Sequence, residues 1–283
     1  MGKGRLSPSR SIAVVFVMLI LGGTTVAAAK VFERGQGRSQ FYASFAPKSL
    51  PRGQRAPIAL NFGFNVRQLS AMGYQELSSI SLNLSPRLSI DSAGLPRCGL
   101  SELQEATTGQ LGYTCKDAKV GHGTLPIHID LPGDGFFSIL APLIAFNGSY
   151  QGKPAILTRF DFDDTVGHRV YVFAFVLNHQ SGVRGTSLVA EVPPIDYVDD
   201  LSYAKGPVSE RVFVMSMDLT LDRDFTASGK RRGYVSARCS PTGGVHSNNF
   251  PLARMSYTLQ DGTEGAGGTN GWCRVRAKGH RFQ

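Results

Sequence analysis

Apolar and polar positions alternate with a period of two over most of the chain. Ile58, Leu60, Phe62, Phe64 and Val66 are interleaved with Ala59, Asn61, Gly63, Asn65 and Arg67. A period of two puts one face of a strand in a core and the other toward water, which a helix of 3.6 residues per turn cannot do. The same pattern recurs in Ile80, Leu82 and Leu84 against Ser79, Ser81, Asn83 and Ser85. It recurs again in Ile156, Thr158, Phe160 and Phe162 against Leu157, Arg159, Asp161 and Asp163. Phe213, Met215, Met217, Leu219 and Leu221, and later Ala253, Met255, Tyr257 and Leu259, continue it. Val170 to Leu177 is apolar on both faces and rich in β-branched and aromatic residues. It therefore predicts a central strand covered on both sides.

Turn-forming residues punctuate these runs: Pro132-Gly133-Asp134-Gly135, Asn147-Gly148, Gln151-Gly152-Lys153-Pro154 and Gly265-Ala266-Gly267-Gly268. Helix is expected only from about Ser101 to Ala106, with Ser101 as its N-cap. Regular short strands with polar turns predict an all-β fold, an antiparallel β-sandwich of about ten to twelve strands with one short helix in a disulfide-closed loop. Residues 30–283 are expected to form one such unit, with a possible subdivision into 30–97 and 119–283.

Residues 1–29 change how the rest is interpreted. They begin with Lys3, Arg5 and Arg10, continue through the apolar run Ile12 to Leu21, and end in Val26-Ala27-Ala28-Ala29. A positive start, a short apolar core and a small-residue cleavage site are the order of a secretory leader. The dense apolar core spans ten residues, well short of the roughly 20 needed to cross a bilayer. An uncleaved anchor is the alternative, and it would be the only membrane contact. The full chain of 283 residues carries 30 basic and 21 acidic residues, a formal charge of +9. Removing the three leader cations leaves 27 against 21, or +6. That surplus is compatible with a polyanionic partner and equally with simple solubility. The local basic groups are Lys230-Arg231-Arg232 and Arg274, Arg276, Lys278, Arg281. No nucleic-acid recognition motif is present.

Cys98, Cys115, Cys239 and Cys273 are the four cysteines. An even number in an exported chain implies disulfides, and four thiols allow three connectivities. Neighbour pairing, Cys98 with Cys115 and Cys239 with Cys273, is the expected one among them. No C-x-x-C or Cys/His spacing supports a metal site instead.

Chemistry-bearing motifs are mostly missing. The chain has no G-x-S-x-G elbow, H-E-x-x-H, G-x-x-x-x-G-K-[ST] or G-x-G-x-x-G, and no cofactor is expected. Gly148 to Lys153 has only the look of a phosphate loop and predicts a hairpin turn. Asp161, Asp163 and Asp164 are the one acidic cluster with calcium-ligand character, though the loop glycine and distal glutamate of a calcium loop are missing. His122 and His128 share a face if their strand continues through Pro126, which itself argues for an edge or a bend. Phe136 to Ile144 predicts a buried strand broken at an edge by Pro142, or else an exposed adhesive patch. Trp272, the sole tryptophan, sits beside Cys273. Alternation places it with Arg274 and Arg276 on the outer face, a candidate ligand platform.

Several blocks carry a resemblance. Phe45-Ala46-Pro47-Lys48, Leu50-Pro51-Arg52, Arg55-Ala56-Pro57 and Gly94-Leu95-Pro96-Arg97-Cys98 open the series. Cys115 with Val120-Gly121-His122-Gly123, then Phe146-Asn147-Gly148 and Gly152-Lys153-Pro154-Ala155, continue it, and Tyr234 to Cys239 and Cys273-Arg274-Val275 close it. Together these blocks resemble a group of uncharacterised exported proteins common in actinobacteria. The resemblance implies an envelope or extracellular location and supports the neighbour pairing of cysteines, and it carries over no functional residue. The expected function is an exported, non-enzymatic binding or structural module. Its expected partner is a cell-wall or extracellular polysaccharide, or another envelope protein. The rival is a hydrolase or carbohydrate-active enzyme built on acids such as Asp161 or Asp163, with Trp272 as sugar platform.

Overall fold

The computed structural model describes residues 30–34, 37–70, 73–74, 76–131, 135–163, 168–179, 185–192, 195–199, 208–214, 216–241 and 246–276. The leader expected over 1–29 lies outside them. The first strands are β1 (Lys30–Arg34), β2 (Gly37–Ala46), β3 (Ser49–Leu50), β4 (Arg55–Pro57), β5 (Ala59–Ser70), β6 (Gly73–Tyr74), β7 (Leu77–Leu84) and β8 (Leu88–Ile90). Two helices follow, α1 (Leu100–Glu105) and α2 (Thr108–Thr114), with a 3-10 turn at Lys116–Ala118. Long strands come next: β9 (Lys119–Leu131), β10 (Gly135–Tyr150), β11 (Lys153–Asp163), β12 (His168–His179) and β13 (Thr186–Glu191). The chain continues through β14 (Ile195–Asp199), β15 (Val208–Val214), β16 (Ser216–Leu221), β17 (Asp224–Ala227), β18 (Lys230–Gly233) and β19 (Val235–Arg238). It ends with β20 (Ser247–Leu259) and β21 (Glu264–Val275).

One large sheet dominates, in the order β1-β2-β5-β16-β9-β10-β11-β12-β13-β7-β20-β21-β3, with β6, β14 and β15 on branches. Its ladders are antiparallel except the short parallel contact of β21 with β3. The sheet curls until β21 packs back against β2, and Phe45 of β2 meets Phe250 of β20 with ring centroids 6.2 Å apart. The inward residues of nearly every strand then share one core, including Phe41, Leu60, Phe62, Leu82, Leu125, Ile156, Phe160, Leu188, Leu219 and Met255. Each such side chain contributes about 1.5–3 kcal/mol by leaving water. Strands from both sides of the helical loop interleave in this sheet, β5 beside β16 and β7 between β13 and β20. The sheet holds sixteen strands among the described residues, beside sheets of two and three. The expectation of ten to twelve was low because short strands such as β3, β4, β6 and β8 give too few residues for a period to show.

Both disulfides join sequence neighbours, Cys98 to Cys115 and Cys239 to Cys273. Such bonds persist in oxidising, extracytoplasmic surroundings. The first closes a loop holding two helices where one was expected. Helix α1 begins one residue before Ser101, and its cap is Gly99, whose backbone N–H donates to the Glu102 carboxylate at 2.7 Å. Helix α2 has Thr107 as its N-cap. The Thr107 hydroxyl accepts from the Gln110 N–H, and the Gln110 side chain accepts from the Thr107 N–H.

This helical segment covers the outer face of β10, β11 and β12. Leu103, Leu111 and Ala118 pack with Phe146, Ala155, Leu157 and the disulfide into a second small core, flanked by Val172 and Ala174. Strand β12 is thus apolar on both faces because both are covered, as its composition predicts. Strand β11 departs from expectation for the same reason: Leu157 and Arg159, assigned to water by alternation, are buried.

Three local readings also change. Asn147-Gly148 is not a turn but part of β10, and the hairpin turns at Gln151-Gly152, both at positive φ (50° and 76°). The Asn147 side chain is buried and donates to the Pro96 carbonyl at 2.8 Å. Gly148 lets the chain at Cys98 cross so closely that a Cβ there would lie 2.8 Å from the Cys98 oxygen. The Gly265 to Gly268 segment is likewise strand, paired along β20. Finally, Pro126 does not mark an edge strand. Pro126 falls where β9 changes partner from β16, paired through Thr124, to β15, paired from Ile127. Pro142 lies one residue past the end of the β10–β11 ladder. There β10 keeps only β9 as its partner, so the edge expected at Pro142 is present, and an edge tolerates proline.

Candidate functional site

The outward positions of β7, β20 and β21 are small or polar where the inward ones are apolar. Strand register aligns Asn83 with Arg254 and Gly268, and Ser81 with Ser256 and Ala266. Beyond the bulge at Leu252, Pro251 pairs with Asn270 and Asn249 with Trp272. Since successive side chains alternate between faces, these residues form one continuous outer surface. It is hollowed into a groove of about 1210 Å³, whose lining includes Asn83, Ser85, Arg87, Asn249, Arg254, Ser256 and Asn270. Gly268, without a side chain on this face, keeps its floor low. Among the described residues, no carboxylate or imidazole lines it.

Arg87 is held in place at the rim. Its guanidinium carbon lies 4.9 Å from the Phe250 ring centroid. The turn that carries it is fixed by Arg55, which donates to the Pro86 and Arg87 carbonyls at 3.2 and 3.1 Å. Burial together with nearby Arg238 pulls the Arg55 pKa below its usual value. Two buried polar atoms of the lining, Arg87 Nη1 and Thr269 Oγ1, have no hydrogen-bond partner. Such atoms cost free energy unless a ligand or solvent meets them.

Trp272 stands at the end of this surface, 40% exposed, while Cys273 beside it is fully buried in the disulfide. Arg274 and Arg276 are exposed on the same side. The Lys48 ammonium sits 4.1 Å from the Phe45 ring centroid and 5.9 Å from that of Trp272. Burial pushes its pKa below the ordinary lysine value. Sequence reasoning singled out Trp272, Arg274 and Arg276 but missed the groove next to them. The available signal was the run of Ser, Asn, Gly and Arg at the water-facing positions of three strands that turn out to be neighbours.

The other candidates are spoken for. Arg231 of β18 bonds Asp224 at 2.6 Å, and Arg232 bonds Asp91 at 3.2 Å, so the basic run there is locally neutralised. Asp161 is approached by Arg159 at 3.6 Å and by His168 at 3.3 Å, and it accepts a hydrogen bond from Thr108. The side chain of Asp163, like Asp164 as a whole, lies outside the described residues. His122 lies 3.8 Å from Asp222. Six residues of strand separate it from His128 by roughly 20 Å, too far for one ion. On the outer face of β2, β5 and β16, Asp218 accepts from Tyr42 and from Asn61. Burial first, and the Asp218 bond and charge next, push the Tyr42 phenol well above its usual pKa. A smaller cleft of about 460 Å³ contains Asp222, Asp224, Arg231 and Arg276. Leu140 is 65% exposed on β10, beside a run whose alternate members Ala141 and Leu143 are buried, while the side chains of Phe136 and Phe137 lie outside the described residues.

The chain matches no family model, no curated protein and no solved structure. Among the described residues, no helix is long and apolar enough to cross a membrane.

Proposed function

We propose that this chain is an exported, non-enzymatic β-sandwich module of the cell envelope or extracellular space, and that it binds polysaccharide along the outer groove of β7, β20 and β21. The observation that carries the proposal is the groove's lining of amides, hydroxyls and guanidinium groups, with a half-exposed tryptophan at its end and, among the described residues, no carboxylate within it. Amides and hydroxyls match the donor and acceptor pairs of sugar hydroxyls, and an indole offers the flat apolar face on which a pyranose ring stacks. Glycoside hydrolysis instead needs two carboxyl groups flanking the bond. The described carboxylates Asp161, Asp218 and Asp224 are each already bonded to a neighbouring side chain.

Trp272 is the only tryptophan, so its fluorescence reports directly on the site. Titration with soluble polysaccharides should shift or quench that emission saturably. Trp272→Ala, followed by calorimetry, should bind at least tenfold more weakly, about 1.4 kcal/mol. Steady release of reducing sugar from any of these polysaccharides would show the hydrolytic reading to be the right one.

A further inference from the structure

We infer that the groove selects anionic polysaccharide, chains bearing carboxylate or phosphate groups, over neutral glucans. The inference rests on the proposed polysaccharide binding and adds the charge of the ligand.

The argument is electrostatic and geometric. Arg87 and Arg254 line the groove, and among the described residues no acid faces them from its walls. Elsewhere some described cations are met by an acid at close range, Arg231 by Asp224 and Arg232 by Asp91. Arg87 is also immobilised before any ligand arrives, stacked on Phe250 and carried by a turn that Arg55 ties down. A guanidinium so fixed loses little conformational freedom on forming a bidentate pair with a carboxylate or phosphate. Arg274, exposed beside Trp272, extends the positive field along the direction a chain would take. A groove made only for neutral sugars needs none of these cations, because amides and hydroxyls serve uncharged hydroxyl groups.

The test uses the purified protein and four probes of matched length: polygalacturonate, phosphorylated dextran, plain dextran and poly-glutamate. Affinities are measured by calorimetry at low and at physiological salt. Polygalacturonate, phosphorylated dextran or both should bind at least tenfold tighter than dextran at low salt, and the stronger of the two identifies the group recognised. That preference should shrink as salt screens it. Arg254→Gln, an exposed change with little bearing on folding, should cost the anionic chain at least fivefold more affinity than it costs dextran, and equal losses for the two would contradict the charge preference. Equal binding of dextran and both anionic chains would overturn the inference while leaving polysaccharide binding intact. Poly-glutamate binding as tightly as polygalacturonate would overturn it in favour of an acidic peptide. Absence of binding to all four would remove the polysaccharide reading as well.

Discussion

Removing the Cys98–Cys115 bridge should release the helical cover from the sheet before the sheet itself unfolds. The bond joins residues 17 apart, and the chain entropy of closing such a loop corresponds to about 3 kcal/mol. For a domain of this size that is a fall in Tm of about 6–12 °C. The structure adds where the loss is felt. The cover contributes Leu103, Leu111 and Ala118 to a small core separate from the main one, so it can open on its own. When it opens, Leu157 and Arg159 of β11 meet water. Cys98→Ala with Cys115→Ala should therefore speed hydrogen exchange first in α1 and α2, then in β11 and β12, with β5 and β16 unaffected at the same denaturant concentration. Leu103→Ala is the matched control, because it weakens the same core without touching the bond. It should cost about 3 kcal/mol, the low end for a fully buried leucine, since a surface segment can settle into the space. A double variant within about 2 °C of the parent, with unchanged exchange in α1 and α2, would refute this reasoning and show the cover to be held by packing alone.

Two further outcomes follow from buried polar groups. Tyr42 and fully buried Tyr234 both have phenols pushed above their usual pKa, by burial in each case and by Asp218 in the first. The unfolded chain therefore loses these protons first, and stability is complete below about pH 10 and declines above it. Tyr42→Phe should flatten that alkaline decline in denaturation curves measured from pH 8 to 11, and an unchanged slope would contradict the assignment. Arg159, 2% exposed with its nitrogens lacking hydrogen bonds and its pKa lowered by burial against the opposing pull of Asp161, is an expensive cation. Arg159→Met should raise stability by about 1 kcal/mol, since Asp161 keeps Thr108 and His168. A loss of more than about 2 kcal/mol in denaturant melts would mean that the guanidinium is well paired.

What the sequence made legible was periodic and local. Runs such as Ile58 to Val66 and Ala253 to Leu259 point inward as their alternation requires, and neighbouring cysteines pair. The two-sided coverage of β12 followed from Val172, Ala174 and their apolar companions. Long-range cover was not legible. Nothing in β11 announces that Leu157 and Arg159 lie beneath a helix pair, because the covering residues Leu103 and Leu111 are some fifty positions away. Helix α2 was missed because Gly109 and Gly112 depress helix propensity, although the Thr107 to Gln110 capping box was there to be read. Glycine misled in the other direction in β21, where Gly268 serves an open groove floor rather than a turn. The groove itself depends on β7, β20 and β21 becoming neighbours, which is a matter of topology. The outward orientation of Trp272 was legible because an aromatic next to a disulfide cysteine has a readable face, whereas Arg87 and Arg254 look like any other surface arginines.

The central claim is that ligand lies across the outer face of β7, β20 and β21. Hydrogen exchange of the protein, with and without saturating polygalacturonate, tests it most directly. The account predicts slowed exchange at 83–87, 247–256 and 266–274, with α1, α2 and β17–β18 unchanged. Protection confined to the cleft at Asp222, Asp224 and Arg231, or to the helical cover, would place the ligand elsewhere and contradict it.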